Sequence, residues 1–87
     1  MSSYEPLISS RARKDILKLS QRHKDRLYEV LTALGKNPFL GKKLKGELEG
    51  KYSYRVWPYR IIYTIYDKRV VYILRVQHRQ SAYLRHG

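Results

Sequence analysis

The 87-residue chain has no cysteine, only seven acidic side chains and one tryptophan. The absence of cysteine excludes a disulfide framework, a thiolate zinc site and a cysteine nucleophile, and it fits a reducing cytoplasm. No apolar run approaches the roughly 18–20 residues that a membrane span needs, and the N-terminus does not resemble a signal peptide. We therefore expect a small soluble, cytoplasmic protein without membrane contact.

The chain has the length of one domain. For 87 residues, surface scaling predicts that about 64% of the unfolded chain's surface is buried on folding, which suffices for one modest core. A hydrophobic content of 43% with nine tyrosines argues against disorder. We expect a single domain over residues 1–87.

Positive charge is the strongest compositional signal. Nineteen Lys and Arg against seven Asp and Glu leave a net charge of +12. This excess favours a polyanionic partner such as nucleic acid, an anionic membrane surface or an acidic protein segment, and a solvated basic surface without a specific role is the simpler alternative. Residues 51–87 contain six of the ten arginines and a single acid, and arginine suits bidentate phosphate contact. We therefore expect the functional site in this C-terminal part.

The N-terminal part predicts a strand and a helical hairpin. Residues 3–9 predict a short strand, which Pro6 confines to a sheet edge. An amphipathic helix begins after Ser9 or Ser10, and apolar residues at helical spacing predict a second helix over residues 21–34.

The C-terminal part predicts a sheet. Gly35 is expected to cap the second helix, and residues 36–50 form a connecting loop. Three strands rich in β-branched and aromatic residues follow with short connections, at 52–57, 59–66 and 70–77. The predicted fold is α+β: an antiparallel sheet of about four strands packed on the helical hairpin, in the order β-α-α-β-β-β, with a short C-terminal tail or helix.

Hairpin geometry predicts a row of arginines. A symmetrical two-residue turn in each hairpin places Arg55 opposite Arg60 and Arg60 opposite Arg75. Strand parity adds Gln77 and Arg79 to that face. The opposite face collects the expected core, which is Tyr54, Val56, Ile61, Ile65, Val70, Leu74 and Val76. A one-residue bulge in either hairpin would move an arginine to the other face.

Like charges on neighbouring strands cost stability, so the row needs a compensating interaction. Each arginine can lie over an aromatic ring or extend to water, but a phosphate backbone across the row would remove the repulsion directly. The row, Arg75 included, is therefore predicted to bind nucleic acid.

Loop lysines and acids refine this prediction. Lys42, Lys43 and Lys45 can also contact RNA phosphates, although a solvated loop is the commoner explanation of such a run. Asp67 is the only acid after Glu49, and the chain has no carboxylate pair, glycine-rich phosphate loop or metal-ligand cluster. A two-metal nuclease is therefore not expected, and any cleavage of nucleic acid would proceed without a metal.

Several segments together resemble a known family. They are LKGELEG at 44–50, YRV at 54–56, YRIIY at 59–63, and VQHR at 76–79 followed by Tyr83. With the order of elements, they resemble the RelE/ParE toxin superfamily over nearly the whole chain. The ending places the chain closer to the RelE branch.

The resemblance implies the toxin of a type II toxin–antitoxin system, an endoribonuclease that enters the ribosomal A site and cleaves mRNA without a metal or other cofactor. The 2′-hydroxyl attacks the adjacent phosphate, leaving a cyclic phosphate and a free 5′-hydroxyl, and translation stops. By position, the implied catalytic residues are Arg55, Arg60, Arg79 and Tyr83. His78 stands where relatives have Lys or His. An acidic cognate antitoxin would also account for the positive charge.

The proton-transfer residue is left open. Ser53 stands where some relatives have another basic residue, so part of that function would shift to Lys45 or His78. Because arginine does not readily lose its proton, the general base is either Tyr83 or His78.

Two other functions compete with mRNA cleavage. One is a ParE-like gyrase inhibitor on the same fold, which would bind a protein target and need no nucleolytic cluster. The other is a basic module that binds nucleic acid without catalysis, in which case removal of Tyr83 would weaken binding slightly and abolish no activity.

Overall fold

The computed structural model describes residues 4–67 and 69–79. These residues form two α-helices, five strands and two short 3₁₀ turns. Their bounds are β1 Glu5–Ile8, α1 Ser10–Leu17, α2 Gln21–Lys36, β2 Lys42–Lys43, β3 Lys51–Val56, β4 Tyr59–Tyr66 and β5 Val70–His78, with 3₁₀ turns at Pro38–Leu40 and Gly46–Leu48.

The strands form one sheet in the order β1-β5-β4-β3-β2. The pairs β2–β3, β3–β4 and β4–β5 are antiparallel, whereas β1 runs parallel to β5. The α+β class, the order of the main elements and the edge position of the strand with Pro6 confirm the sequence predictions. The sheet has a fifth strand because residues inside the expected loop pair with β3 as β2. It also contains one parallel pair, β1–β5, where an antiparallel sheet was expected.

The helices begin where serines satisfy free backbone N–H groups. The Ser9 hydroxyl accepts a hydrogen bond from the Ala12 N–H, and the Ser20 hydroxyl accepts one from the His23 N–H. The sequence predicted that Gly35 caps α2. This prediction is wrong, because the helix continues to Lys36. Gly35 is buried instead, and a Cβ there would lie only 2.9 Å from the Tyr4 carbonyl oxygen. This glycine allows β1 to pack against the helix.

The core lies between the helices and one face of the sheet, here called the helix face. Its buried side chains are Ala12, Ile16, Leu19, Leu27, Leu31, Leu34, Tyr52, Val56, Ile61, Tyr63, Val71, Ile73 and Val76. The opposite face, here called the open face, has partly or fully exposed side chains, including Ser53, Arg55, Arg60, Ile62 and Gln77.

The register confirms one predicted arginine pair and corrects the other. Arg55 lies opposite Arg60 across β3 and β4. Arg60 lies opposite Gln77, not Arg75, because three residues rather than two separate the paired Tyr66 and Val70, and because the register then shifts once more along the strands. The β4–β5 register shifts by one residue at Ile62/Tyr63, which is the signature of a β-bulge.

The same bulge changes which residues of β5 enter the core. Val71 and Ile73 are fully buried, whereas Val70 and Leu74, expected in the core from strict alternation, are only partly buried. Beyond the bulge the alternation is reset, so that Val76 is buried as expected.

A buried tyrosine ties the loop after α2 to the sheet. The Tyr63 hydroxyl donates a hydrogen bond of 2.7 Å to the Pro38 carbonyl oxygen and accepts one of 3.0 Å from the Gly41 N–H. A Cβ at Gly41 would collide with that hydroxyl, so only glycine permits the approach. The interaction fixes the segment that leads into Lys42 and the open face.

We expect Tyr63→Phe to lower the free energy of unfolding by about 1–3 kcal/mol, because it leaves a buried carbonyl and a backbone N–H without their partner. Urea unfolding followed by circular dichroism measures this loss. The matched control is Tyr66→Phe, since Tyr66 is 65% exposed and its change should stay within about 0.5 kcal/mol. Equal stability of the two variants would contradict the role assigned to the Tyr63 hydroxyl.

The same hydroxyl predicts a pH dependence at the alkaline end. Burial raises the pKa of Tyr63 above its usual value of 10.0, and the hydrogen bond from Gly41 only partly opposes this. A raised folded-state pKa leaves the stabilisation intact below pH 10 and removes it as the pH rises through the folded pKa. The stability difference between the wild type and Tyr63→Phe should therefore be constant between about pH 7 and 9 and shrink above about pH 10.

Candidate active site

The β3–β4 turn carries a basic cavity at one end of the sheet. The cavity has a volume of about 120 Å³ and is lined by Arg55, Trp57, Pro58, Tyr59, Arg60 and Arg79. Three arginines from three different places in the sequence therefore share one small site. The β3–β4 hairpin brings two of them together, and the end of β5 brings the third.

The backbone and side chain of Arg79 both contact the turn. The Arg79 N–H donates a hydrogen bond of 2.8 Å to the Pro58 carbonyl oxygen. Its guanidinium carbon lies 5.0 Å from the centroid of the Trp57 ring, a cation–π contact. These two contacts hold Arg79 at the β3–β4 turn.

Arg55 and Arg60 face each other with little to offset their charges. Within the described part of the chain, neither guanidinium takes part in a hydrogen bond or an ion pair. Arg55 is exposed and Arg60 is half-buried. Two facing cations repel each other. An anion bound between them would be attracted by both and would offset their mutual repulsion. The arrangement suits a phosphate group.

Arg75 belongs to a different environment. Its Nε donates to Asp15 Oδ2 at 2.9 Å and its Nη2 donates to Asp15 Oδ1 at 3.2 Å. The hydrogen bond to Asp15 raises the pKa of Arg75 above its already high value. This ion pair accounts for Arg75 without RNA, so the geometry does not support the predicted phosphate contact.

Asp15 also completes the edge of β5. Beyond the short β1, the Val76 N–H donates a hydrogen bond of 2.8 Å to Asp15 Oδ2. The Ser9 hydroxyl donates one of 3.0 Å to the Leu74 carbonyl oxygen. Helix α1 thereby satisfies backbone groups that a neighbouring strand would otherwise pair. The ion pair and these hydrogen bonds hold the strand that leads to Arg79.

His78 lies apart from the arginines. It pairs with Tyr59 across β4 and β5, on the same face as the buried Val76, and the two rings meet edge-on at 5.2 Å. Tyr59 also meets the ring of His23 at 5.1 Å. The imidazole of His78 therefore packs on the helix face, whereas Arg60 projects from the open face. The predicted grouping of His78 with the arginines is not what the register shows.

The three loop lysines separate in the structure. Lys42 pairs with Ser53 on the open face and lines a groove of about 410 Å³ that also contains Arg55 and Arg60. Lys43 pairs with Tyr52 and therefore points to the other face of the sheet edge. Lys45 lines a separate cavity with Lys43. Of the three, Lys42 is the one that extends the basic surface of the arginine cluster.

Tyr83 lies outside the described residues, so the structure does not test its predicted role. Trp57 lines the cavity and is 56% exposed, and the sequence placed it only at the end of the predicted strand 52–57. The available signal was an aromatic residue placed in a turn between arginine-bearing strands.

Two further features concern only residues 4–67 and 69–79. No cluster of three or more His, Cys, Asp or Glu side chains capable of holding a metal ion occurs among them. No helix among them is both long and apolar enough to cross a membrane.

Comparison with known proteins identifies the class. The family model for the ParE toxin of type II toxin–antitoxin systems, parDE, matches residues 7–83. Toxin RelG of Mycobacterium tuberculosis is 38% identical over 85 residues, which span 94% of this chain and 98% of that protein.

Solved structures agree with this match. A chain of the RelBE2 toxin–antitoxin complex from Mycobacterium tuberculosis is 38% identical and superposes with a TM-score of 0.82, covering 88% of this chain and 99% of that chain. A chain of the archaeal RelE–RelB complex from Pyrococcus horikoshii is 27% identical with a TM-score of 0.76, covering 88% and 96%.

The fold and these matches define a toxin of the type II toxin–antitoxin class. The chain belongs to the RelE/ParE toxin superfamily, as its motifs predicted.

Proposed function

We propose that this toxin is a metal-independent endoribonuclease that cleaves mRNA in the ribosomal A site and thereby inhibits translation. The observation that carries the proposal is the convergence of Arg55, Arg60 and Arg79 on one cavity beside the β3–β4 turn. The similarity to RelE-type structures supports the same function. Because the substrate is ribosome-bound mRNA, the proposal places the protein in the cytoplasm.

The proposed reaction uses the RNA as its own nucleophile. A general base takes the proton of the 2′-hydroxyl, the oxygen attacks the adjacent phosphorus, and the 5′-oxygen leaves with a proton. The products are a 2′,3′-cyclic phosphate and a 5′-hydroxyl. Negative charge accumulates on the phosphorane, and guanidinium groups held in fixed positions stabilise that charge. Arg55, Arg60 and Arg79 have this role, and Tyr83 is the proposed base.

The chain itself limits the choice of base. Arginine stays protonated, and the side chain of His78 packs on Tyr59 at the helix face. Tyr83, assigned by resemblance, is therefore the preferred residue for proton transfer. A cationic environment lowers a tyrosine pKa in principle, which favours the phenolate needed for this step.

A cognate antitoxin is the proposed protein partner. The open face joins the arginine cluster to a groove of about 440 Å³ whose apolar lining comes from Leu44, Leu48, Ile62 and Leu74. An acidic amphipathic segment matches both the charge and the apolar surface. Such a segment would inhibit the toxin by covering the basic face or by displacing the segment after β5. Complexes of relatives with antitoxins support this partner.

A ParE-like inhibitor of gyrase is the second candidate, because the matching family model is that of the ParE toxin. This function would require a protein-binding surface and would leave the arginine cluster without a catalytic role. A non-catalytic basic module remains the third alternative.

Expression in growing cells separates these functions. The toxin is induced with and without its neighbouring open reading frames, and mRNA ends and gyrase–DNA breaks are mapped in the same cultures. We expect new mRNA 5′ ends within translated codons and no increase in trapped gyrase–DNA breaks. Trapped breaks without mRNA cleavage would establish the ParE-like function, and growth arrest with neither would contradict both.

A further inference from the structure

Trp57 is exposed at the mouth of the arginine cavity. One ring face lies against the Arg79 guanidinium, yet 56% of the residue's surface remains accessible to solvent. It stands in the two-residue connection between β3 and β4, next to Pro58, so the backbone that carries it is anchored by paired strands on both sides. The chain contains no other tryptophan.

Packing does not account for this position. Trp57 does not belong to the core cluster of buried residues or to the partly buried side chains packed against it. Its indole is instead exposed beside the arginines that line the cavity. In proteins that bind single-stranded nucleic acid, aromatic rings beside a basic groove stack with bases, and arginine planes add cation–π attraction.

The geometry points to a second feature of the site: we propose that Trp57, backed by Arg79, forms a nucleobase-binding subsite. The subsite stacks a base of the single-stranded RNA whose phosphate is held by Arg55 and Arg60. The proposal rests on the proposed ribonuclease function and specifies how its substrate is recognised. The subsite accepts any base, because every base presents a π face, and it binds purines better because their rings are larger.

A purely structural role for Trp57 gives a different expectation. If the indole only held the Arg79 guanidinium in place, its loss would weaken phosphate binding equally for RNA with and without bases. If the indole stacks a base, its loss removes the advantage that bases confer and leaves the phosphate contribution. The two roles therefore predict different effects of losing the indole on the ratio of the affinities for RNA with and without bases.

The test is equilibrium binding of two short probes that cannot undergo 2′-hydroxyl attack. One is a 2′-O-methyl oligoadenylate, and the other is an abasic 2′-O-methyl chain with the same number of phosphates. We expect wild-type toxin to bind the oligoadenylate about 5–150-fold more tightly, from a stacking free energy of about 1–3 kcal/mol per base. Oligoadenylate should quench the fluorescence of Trp57, which is the sole indole reporter, and the abasic probe should leave it nearly unchanged.

Three variants complete the test. Trp57→Ala should bind the two probes with nearly equal affinity, Trp57→Phe should restore part of the difference, and Tyr66→Ala, an exposed aromatic in the opposite turn region, should behave like the wild type. Circular dichroism confirms that each variant is folded. Equal binding of both probes by the wild type, or an unchanged preference in Trp57→Ala, would overturn the subsite.

The outcomes also separate the subsite from the proposed function. Base-dependent quenching in a protein that does not cleave ribosome-bound mRNA would keep the subsite and refute the ribonuclease. Cleavage without any dependence of probe preference on Trp57 would keep the ribonuclease and refute the subsite.

Discussion

Arg79→Ala is expected to reduce single-turnover cleavage of ribosome-bound mRNA by about 10²–10³-fold, which corresponds to roughly 2.7–4 kcal/mol of transition-state stabilisation. The guanidinium is held over Trp57 at the cavity that also contains Arg55 and Arg60, so its loss removes one of the three positive charges at that cavity. The variant should remain folded because Arg79 is exposed. Growth arrest on induction should disappear with the cleavage.

Arg69→Ala is the matched control for Arg79→Ala. Arg69 is also exposed, but it lies in the turn between β4 and β5, away from the β3–β4 turn. The Arg69→Ala substitution lowers the net charge by the same amount as Arg79→Ala. A comparable loss of activity in Arg69→Ala would mean that the net charge matters and the cavity does not. Full activity of Arg79→Ala would remove this residue from the proposed site.

The second large effect concerns proton transfer. Tyr83→Phe is expected to lower single-turnover cleavage by about 10²–10⁴-fold, the range that a positioned general base contributes, while ribosome binding persists because the ring is kept. His78→Gln is expected to change the rate by less than about tenfold, since the His78 side chain packs on Tyr59 at the helix face. Rates measured for both variants between about pH 6 and 9 provide the comparison.

The opposite pattern would reassign the base. A large loss in His78→Gln with normal activity in Tyr83→Phe would mean that the imidazole performs the transfer and that the end of β5 rearranges on the ribosome. Normal activity in both variants would leave the arginines alone as the catalytic groups.

Local patterns in the sequence were sufficient for much of the fold. Helical spacing predicted α2, β-branched and aromatic runs predicted the strands, and the bounds of β4 match the expected 59–66. The pairing of Arg55 with Arg60 followed because a two-residue connection between antiparallel strands leaves one symmetrical register. The register of two antiparallel strands can be predicted from the sequence when only two residues connect them.

Features that depend on tertiary contact were not predictable in this way. The bulge at Ile62/Tyr63 leaves no signal in composition, yet it changed the partner of Arg60 and exchanged core residues of β5. The bond from Arg75 to Asp15 joins residues sixty positions apart and diverts that arginine from the row. Likewise, Gly35 resembles a helix cap in the sequence, and only the approach of β1 shows why a glycine lies inside α2.

The candidate site was predictable in part. The alternation of strands placed Arg55 and Arg60 on one face, and the resemblance to the RelE branch added Arg79 and Tyr83. His78 was grouped with these arginines, whereas the structure places it beside Tyr59 on the helix face. Trp57 emerged only when the turn and the end of β5 were seen to share a cavity.

The most direct test of the central claim is cleavage by purified toxin of a defined mRNA on ribosomes with an empty A site, with the end groups of the products determined. We expect one principal cut within the A-site codon, leaving a 2′,3′-cyclic phosphate and a 5′-hydroxyl, and we expect no cut with a variant in which Arg55, Arg60 and Arg79 are all alanine. Intact mRNA with wild-type toxin, or equal cleavage by the triple variant, would contradict the claim that this arginine cluster is a ribosome-dependent ribonuclease site.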